Sequence, residues 1–182
     1  MRVLGIDPGS NFLGLGCVEV RGSAFSWVGH RLLKVNPGGK CTISERLKLI
    51  HEGLSEVLFI WKPSAVAIEE VFFAKNAQSA LKLGQARGAA LVGAAVLGLP
   101  IFEYPATVVK QTVAGSGRAE KDQVQRMVKA ILSRTLAKDA EFEREDVSDA
   151  LAVAICHLQH RHRKQILRPS TPAKRPGLER GL

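Results

Sequence analysis

"VLGIDPGSNFLGLG" at residues 3–16 places an apolar run, one carboxylate, a Pro-Gly pair and a second apolar run in succession. Val3, Leu4 and Ile6 read as a short buried strand over residues 2–7, and Pro8-Gly9 as the turn after it. Asp7 stands where that strand surfaces. Two roles fit the position: a turn former, or the first ligand of a metal site. "FLGLGCVEV" (12–20) and "FSWVGHRLLKV" (25–35), joined by "RGS", extend the strand into an antiparallel meander that ends at "NPGGK" (36–40).

Outward from the meander, Ile43, Leu47, Ile50, Leu54, Val57, Leu58 and Trp61 recur at steps of three and four, which predicts a helix over Thr42 to Trp61 stopped by Lys62-Pro63. "SAVAIEEVFF" (64–73) reads as a buried parallel strand with Glu69 and Glu70 near its end. A long helix follows over Asn76 to Leu97. Its small residues, among them Ala77, Ala80, Gly84 and Gly88, permit close approach of another helix in the core or across a subunit interface. "LPIFEY" is a further short strand and residues 105–113 a short helix. Glycine-rich "GSGRAEK" (115–121) leads into a helix with Val124, Met127, Val128 and Ile131 on one face, and a last helix spans Asp146 to His160. The expected fold class is α/β, a mixed five-stranded sheet flanked by helices.

At 182 residues the chain fits one domain, and its formal charge of +9 favours an anionic partner, nucleic acid or a membrane surface. The charge is unevenly spread. Residues 161–182 hold seven Lys/Arg against Glu179 and include three prolines, leaving a net of only +3 on residues 1–160. The expected organisation is a domain over 1–160 and a basic, disordered tail over 161–182. The longest uncharged stretch, Gly88 to Phe102, falls short of the ~18 apolar residues of a membrane span, and no charged start with an apolar run suggests a signal peptide. Cys17, Cys41 and Cys156 form neither a disulfide framework nor a Cys-x-x-Cys site, so a reducing cytoplasm and no membrane association are expected. The five histidines are scattered or near the tail, which argues against a histidine-based mechanism.

The carboxylates are more informative. Asp146 and Asp149 lie about 60° apart around their helix, so both reach one point beside its apolar stripe of Val147, Ala150, Leu151 and Ala154. Alone, the pair reads as acids complementing a helix dipole. Together with Asp7 and Glu69 it reads differently, because each acid stands at a strand end or helix start, where α/β sheets present functional groups. Four converging carboxylates repel unless cations neutralise them, and with no His or Cys among them the fitting ions are Mg²⁺ or Mn²⁺. Two such ions suit phosphodiester hydrolysis, one activating water and the other stabilising the leaving 3′-oxygen. Periodicity alone does not bring the four acids together.

Four blocks supply that step: "LGIDPGS" (4–10), "AIEEVFFAKNAQSALKLGQARG" (67–88), "FEYPATVVKQTVAGSGRAEKDQV" (102–124) and "DVSDALAVAICH" (146–157). In order and spacing they resemble the RuvC family of Holliday-junction resolvases over residues 1–160. The resemblance implies a ribonuclease-H-like fold, a homodimer, and Mg²⁺-dependent endonuclease activity on four-way DNA junctions, with two ions per site for which Mn²⁺ can substitute. It places the catalytic, metal-binding acids on Asp7, Glu69, Asp146 and Asp149, with Asp7 bridging the ions. Glu70 departs from the family's usual neutral residue at that position and leaves open which glutamate faces the metal. Lys110 and Lys121 match lysines near the active centre, Lys121 with a catalytic part, and Phe72 matches an aromatic that stacks on a base at the opened junction. Lys75 and Arg118 are expected on the DNA path, and partnership with the RuvA and RuvB branch-migration proteins is implied by family alone.

A two-fold dimer suits a junction that must be nicked symmetrically on two strands to leave 5′-phosphate and 3′-hydroxyl ends, in recombination and repair. Three other readings compete: a nuclease of the same fold acting on structured RNA, a non-catalytic binder of branched DNA, and a phosphotransferase of the actin-like and sugar-kinase group. The last needs two domains to enclose ATP, for which 182 residues leave no room.

Overall fold

The computed structural model describes residues 1–70, 77–137 and 141–166. Three strands open the chain, β1 (Arg2–Pro8), β2 (Phe12–Arg21) and β3 (Ala24–Lys34), followed by a single 3₁₀ turn at Pro37–Gly39. The remaining elements are α1 (Ile43–Trp61), β4 (Ala65–Glu70), α2 (Ala77–Val96), β5 (Ile101–Pro105), α3 (Ala106–Ala114), α4 (Lys121–Leu132) and α5 (Glu145–Ile166). The sheet order is β3-β2-β1-β4-β5. β1, β2 and β3 pair antiparallel, with a bulge at Cys17/Val18, and β4 and β5 add parallel to β1. The five-stranded mixed sheet and the meander are as expected from the sequence.

Side-chain alternation sorts the sheet into two faces. Leu4, Ile6, Leu13, Leu15, Val66 and Ile68 pack on α1 and α2, while Val3, Val18, Ala65 and Ala67 pack on the side of α3, α4 and α5. Asp7 and Glu69 share the odd-numbered parity of Val3, Ala65 and Ala67, so both point toward α5. Ile6 pairs with Ile68, which brings Asp7 and Glu69 to the same level at the carboxyl ends of adjacent parallel strands.

Helix α1 starts at a capping box: Thr42 accepts from the Glu45 N–H, and the Glu45 carboxylate accepts from the Thr42 N–H at 2.7 Å. It ends where Lys62 adopts a left-handed conformation (φ 46°) before Pro63. Arg46 is buried on this helix and donates to the Ser10 carbonyl, tying α1 to the loop after Asp7. On the opposite face Tyr104 of β5 hydrogen-bonds His157 Nδ1 of α5 at 2.8 Å.

One boundary differs from expectation, and another falls outside the described residues. Strand β4 is described to Glu70, and Val71 to Phe73, expected to continue it, lie outside the described residues. Helix α5 runs to Ile166, past the boundary expected at 160, because "RHRKQI" contains no breaker and the first proline beyond it is Pro169. The first six residues of the expected tail are therefore helical, and residues 167–182 lie outside the described ones.

Close approach of α5 to β1 and β2 requires glycine. A Cβ built on Gly5 would stand 1.8 Å from the Ala150 carbonyl oxygen, and one on Gly14 would stand 2.0 Å from that of Asp146. Neither obstacle is a flexible side chain. Gly5→Ala is expected to lower unfolding free energy by about 3 kcal/mol as α5 is forced outward; chemical denaturation checks this, and an unchanged midpoint would contradict the packing described.

Candidate active site

Asp7, Glu69, Asp146 and Asp149 come from three elements and meet beneath the start of α5. Asp7 and Glu69 leave the ends of β1 and β4, and Asp146 and Asp149 occupy the first turns of α5. Asp146 rests against the β1–β2 hairpin: its Oδ1 lies 3.5 Å from where a Cβ on Gly9 would be. Asp149 lines a small cleft of about 80 Å³ with Glu69, Lys110, Lys121, Val109 and Val124. Of the adjacent glutamates, Glu69 therefore faces the cleft, and Glu70 takes the opposite parity toward α1 and α2.

Their mutual repulsion shows in proton affinity. The Asp7 carboxyl is held well above the usual carboxylate range, first by burial and then by Asp149, Glu69 and Asp146, with Lys121 alone easing it. Burial and then Asp149 raise Glu69, offset by Lys110 and Lys121. Burial also raises Asp149, against the pull of Lys121. No described residue forms a hydrogen bond or ion pair with the Asp7 carboxylate.

The protein's own cations stand around this cluster. Lys121 Nζ donates to Glu145 Oε2 at 2.8 Å and lies 3.8 Å from Asp149 Oδ2. Arg144 Nε donates to Asp146 Oδ2 at 2.9 Å while its guanidinium covers the Phe12 ring, 4.1 Å from the centroid. Among the described residues no three His, Cys, Asp or Glu side chains form a ready-made metal cage. The reason is visible in the pairing, since Asp146 is turned to Arg144 and Asp149 toward Lys121. The donor chemistry nevertheless fits a hard divalent cation: four carboxylates, no sulfur or imidazole, and a partly buried Asp7 without a counter-ion of its own.

Other expected residues are placed as follows. Lys110 and Lys121 line the cleft. Arg118 is exposed in the loop before α4 and is not brought to the carboxylates. Phe72 and Lys75 lie outside the described residues. Three neighbours of the cluster went unread in the sequence: Arg144, Glu145 and Phe12. The only linear signal was charge alternation in "EREDVSD", which resembles any solvated helix start.

Among the described residues, the other candidate groups lie away from the carboxylates. Cys17 and Cys156 are buried with thiols pushed up to about 12 and about 11, too high for nucleophiles. A cavity of about 690 Å³ lies at the other end of the sheet among Met1, Val20, Ser64, Pro100 and Arg161, and among the described residues no carboxylate lines it. Among the described residues no helix is long and apolar enough to cross a membrane.

The chain is similar to known proteins over most of its length. The sequence profile of crossover junction endodeoxyribonuclease RuvC matches residues 3–157, which include all four acids. A crossover junction endodeoxyribonuclease RuvC from Citrifermentans bemidjiense is 53% identical over 162 residues, covering 86% of this chain and 92% of that protein. One from Geobacter sulfurreducens is 50% identical over 173 residues, covering 92% and 98%. The solved structure of Thermus thermophilus RuvC in complex with Holliday junction substrate superposes with a TM-score of 0.80 at 38% identity, covering 90% of this chain and 96% of that one. Sheet order, helix placement and sequence thus agree: this chain belongs to the RuvC family of crossover junction endodeoxyribonucleases, with the ribonuclease-H-like fold of those resolvases.

Proposed function

We propose that Asp7, Glu69, Asp146 and Asp149 form the reaction centre at which this chain hydrolyses phosphodiesters of four-way DNA junctions. The observation that carries the reading is the convergence of four carboxylates from β1, β4 and α5, with Asp7 coupled to the other three and, among the described residues, ion-paired to no cation. RuvC-family nucleases are metal-dependent, and the donor set suits two Mg²⁺, with Mn²⁺ as a substitute. When bound, the ions supply a water made nucleophilic near neutral pH and neutralise charge on the leaving 3′-oxygen.

The chain's own residues do the remaining work. Asp7, coupled electrostatically to all three other acids, would hold the ions together with Glu69, Asp146 and Asp149. Lys121 and Lys110 flank the Glu69–Asp149 side, where their charge holds a phosphate and stabilises the developing negative charge. Rigid elements carry all of these residues, so the geometry is set before DNA arrives. No observation on the described residues favours the structured-RNA nuclease or the non-catalytic binder.

Helix α2 supports a homodimer. Leu81, Val92 and Val96 are 62%, 61% and 78% exposed on it, and Gly84 and Gly88 have open space where a Cβ would sit. Two mid-helix glycines each cost about 1 kcal/mol of helix stability, and among the described residues nothing packs where their Cβ would stand. Both fit the close approach of a second copy, which would give two centres related by a two-fold axis, one for each strand to be nicked.

Asp7→Asn should lower cleavage of a labelled four-way junction by on the order of 10³-fold or more while junction binding persists; cutting at wild-type rate would refute the centre. The same substitution should stabilise the metal-free protein. Because the folded-state pKa of Asp7 is raised, the folded wild type holds a proton the unfolded chain has released, and its stability falls as pH rises from the ordinary carboxylate range through the elevated value. The gain in melting temperature for Asp7→Asn is thus expected to be larger at about pH 8 than at about pH 4. Val92→Glu should turn a dimer into a monomer by light scattering, and a wild-type protein that is already monomeric at micromolar concentration would remove the α2 interface.

A further inference from the structure

Arg144 occupies an unusual place. Its carbonyl accepts from the Val147 N–H at 3.2 Å, so it stands at the cap position of α5, where Ser, Thr, Asp or Asn are favoured and a cation opposes the helix dipole. Helix start chemistry does not call for arginine here. The side chain instead makes two specific contacts: Nε donates to Asp146 Oδ2 at 2.9 Å, and the guanidinium stacks on Phe12. It is 48% exposed, and among the described residues nothing accepts a hydrogen bond from its two Nη groups.

Asp146 consequently faces two competing cations. A divalent ion taken by Asp146 withdraws the charge that Arg144 pairs with, whereas the Phe12 ring keeps the guanidinium in place by a cation–π contact that needs no carboxylate. Lys121 differs, because Glu145 remains its partner whatever Asp149 does. Arg144 is the cation that metal loading sets free. A planar guanidinium so held, with donors directed to solvent beside the cluster, matches the oxygens of a phosphate. It also lies on the β2 side of the carboxylates, across from Lys110 and Lys121 on the β4 side, so a strand crossing the cluster would be held from both flanks.

We propose that Arg144 is a phosphate-binding residue for the junction DNA, kept paired by Asp146 in the metal-free enzyme and released when a divalent ion occupies that carboxylate. Metal loading and grip on the DNA strand are thereby coupled, and by linkage each strengthens the other. This inference rests on the reading of the four acids as a metal centre.

The test needs no catalysis. In EDTA, anisotropy titrations of a fluorescent four-way junction are run with wild type, Arg144→Gln, Asp146→Asn and the double variant. Asp146→Asn removes the charge that holds Arg144, so Arg144→Gln should change the Kd by less than about twofold in the wild-type background. In the Asp146→Asn background it should weaken binding by about three- to tenfold and lower the salt slope by about one. Arg144→Lys, which keeps the charge, should lose less. An equal effect of Arg144→Gln in both backgrounds overturns the proposal. In a second arm, Mn²⁺ alone is titrated against the DNA-free protein by electron paramagnetic resonance of the free ion. Arg144→Gln should bind Mn²⁺ about fivefold more tightly than wild type, and unchanged or weaker affinity overturns the proposal. Wild type and Asp7→Asn binding Mn²⁺ equally poorly would instead strike the metal-centre reading on which it rests.

Discussion

The separation between α5 and the β1–β2 hairpin controls the convergence of the four carboxylates. Glycines at 5 and 14 let the helix backbone settle where side chains would otherwise stand, and Gly16 does the same beneath Leu151. That approach lowers the first turns of α5 to the level at which β1 and β4 end, so Asp146 and Asp149 arrive beside Asp7 and Glu69. A helix displaced outward by one methyl group would keep its sequence and its amphipathic face and still lose the convergence. The apolar core supplies the force that holds the arrangement: Val147, Ala150, Leu151, Ala154 and Ile155 are fully buried on the underside of the helix.

The same closeness creates an electrostatic cost that the fold distributes unevenly. Asp149 and Glu69 are eased by lysines from α3 and α4, and Asp146 has Arg144, but Asp7 has only the distant help of Lys121. A buried carboxylate in that position destabilises the metal-free fold, because its ionisation must occur against burial and three like charges. Stability given up at one residue would become affinity for a cation, since an ion that binds the folded state and not the unfolded chain returns that free energy on binding. On the proposed reading, the cluster is completed only when a cation binds.

Much of this was legible in the sequence, for identifiable reasons. The β1–β3 meander follows from alternation between turn residues, and α1 from a long run of three-and-four spacing, both local properties of the chain. The two helix acids at 146 and 149 are legible because their spacing fixes their relative angle. The choice between Glu69 and Glu70 was not, since either could end the strand; it is decided by which face Ala65 and Ala67 bury, which depends on pairing with β1. Arg144 was equally hidden. An arginine among acids before a helix reads as a solvated charge until Phe12, at the start of β2, is seen beneath it. The length of α5 is hidden because composition marks a basic segment from 161, whereas a run of charged residues without proline or glycine continues a helix readily.

Net charge is a poor guide to where such a protein meets DNA. Residues 1–160 carry a net of only +3, and the cleft itself is lined by acids, so an average over the domain conceals the pattern. What matters is the alternation at short range: Arg144 on one flank, carboxylates in the middle, Lys110 and Lys121 on the other. With the carboxylates unneutralised, the centre repels a phosphate and opposes the attraction of the flanks. Divalent ions at the middle would invert its sign and leave a continuous positive path across the ends of β2, β1 and β4, which follows from the placement of the charges alone.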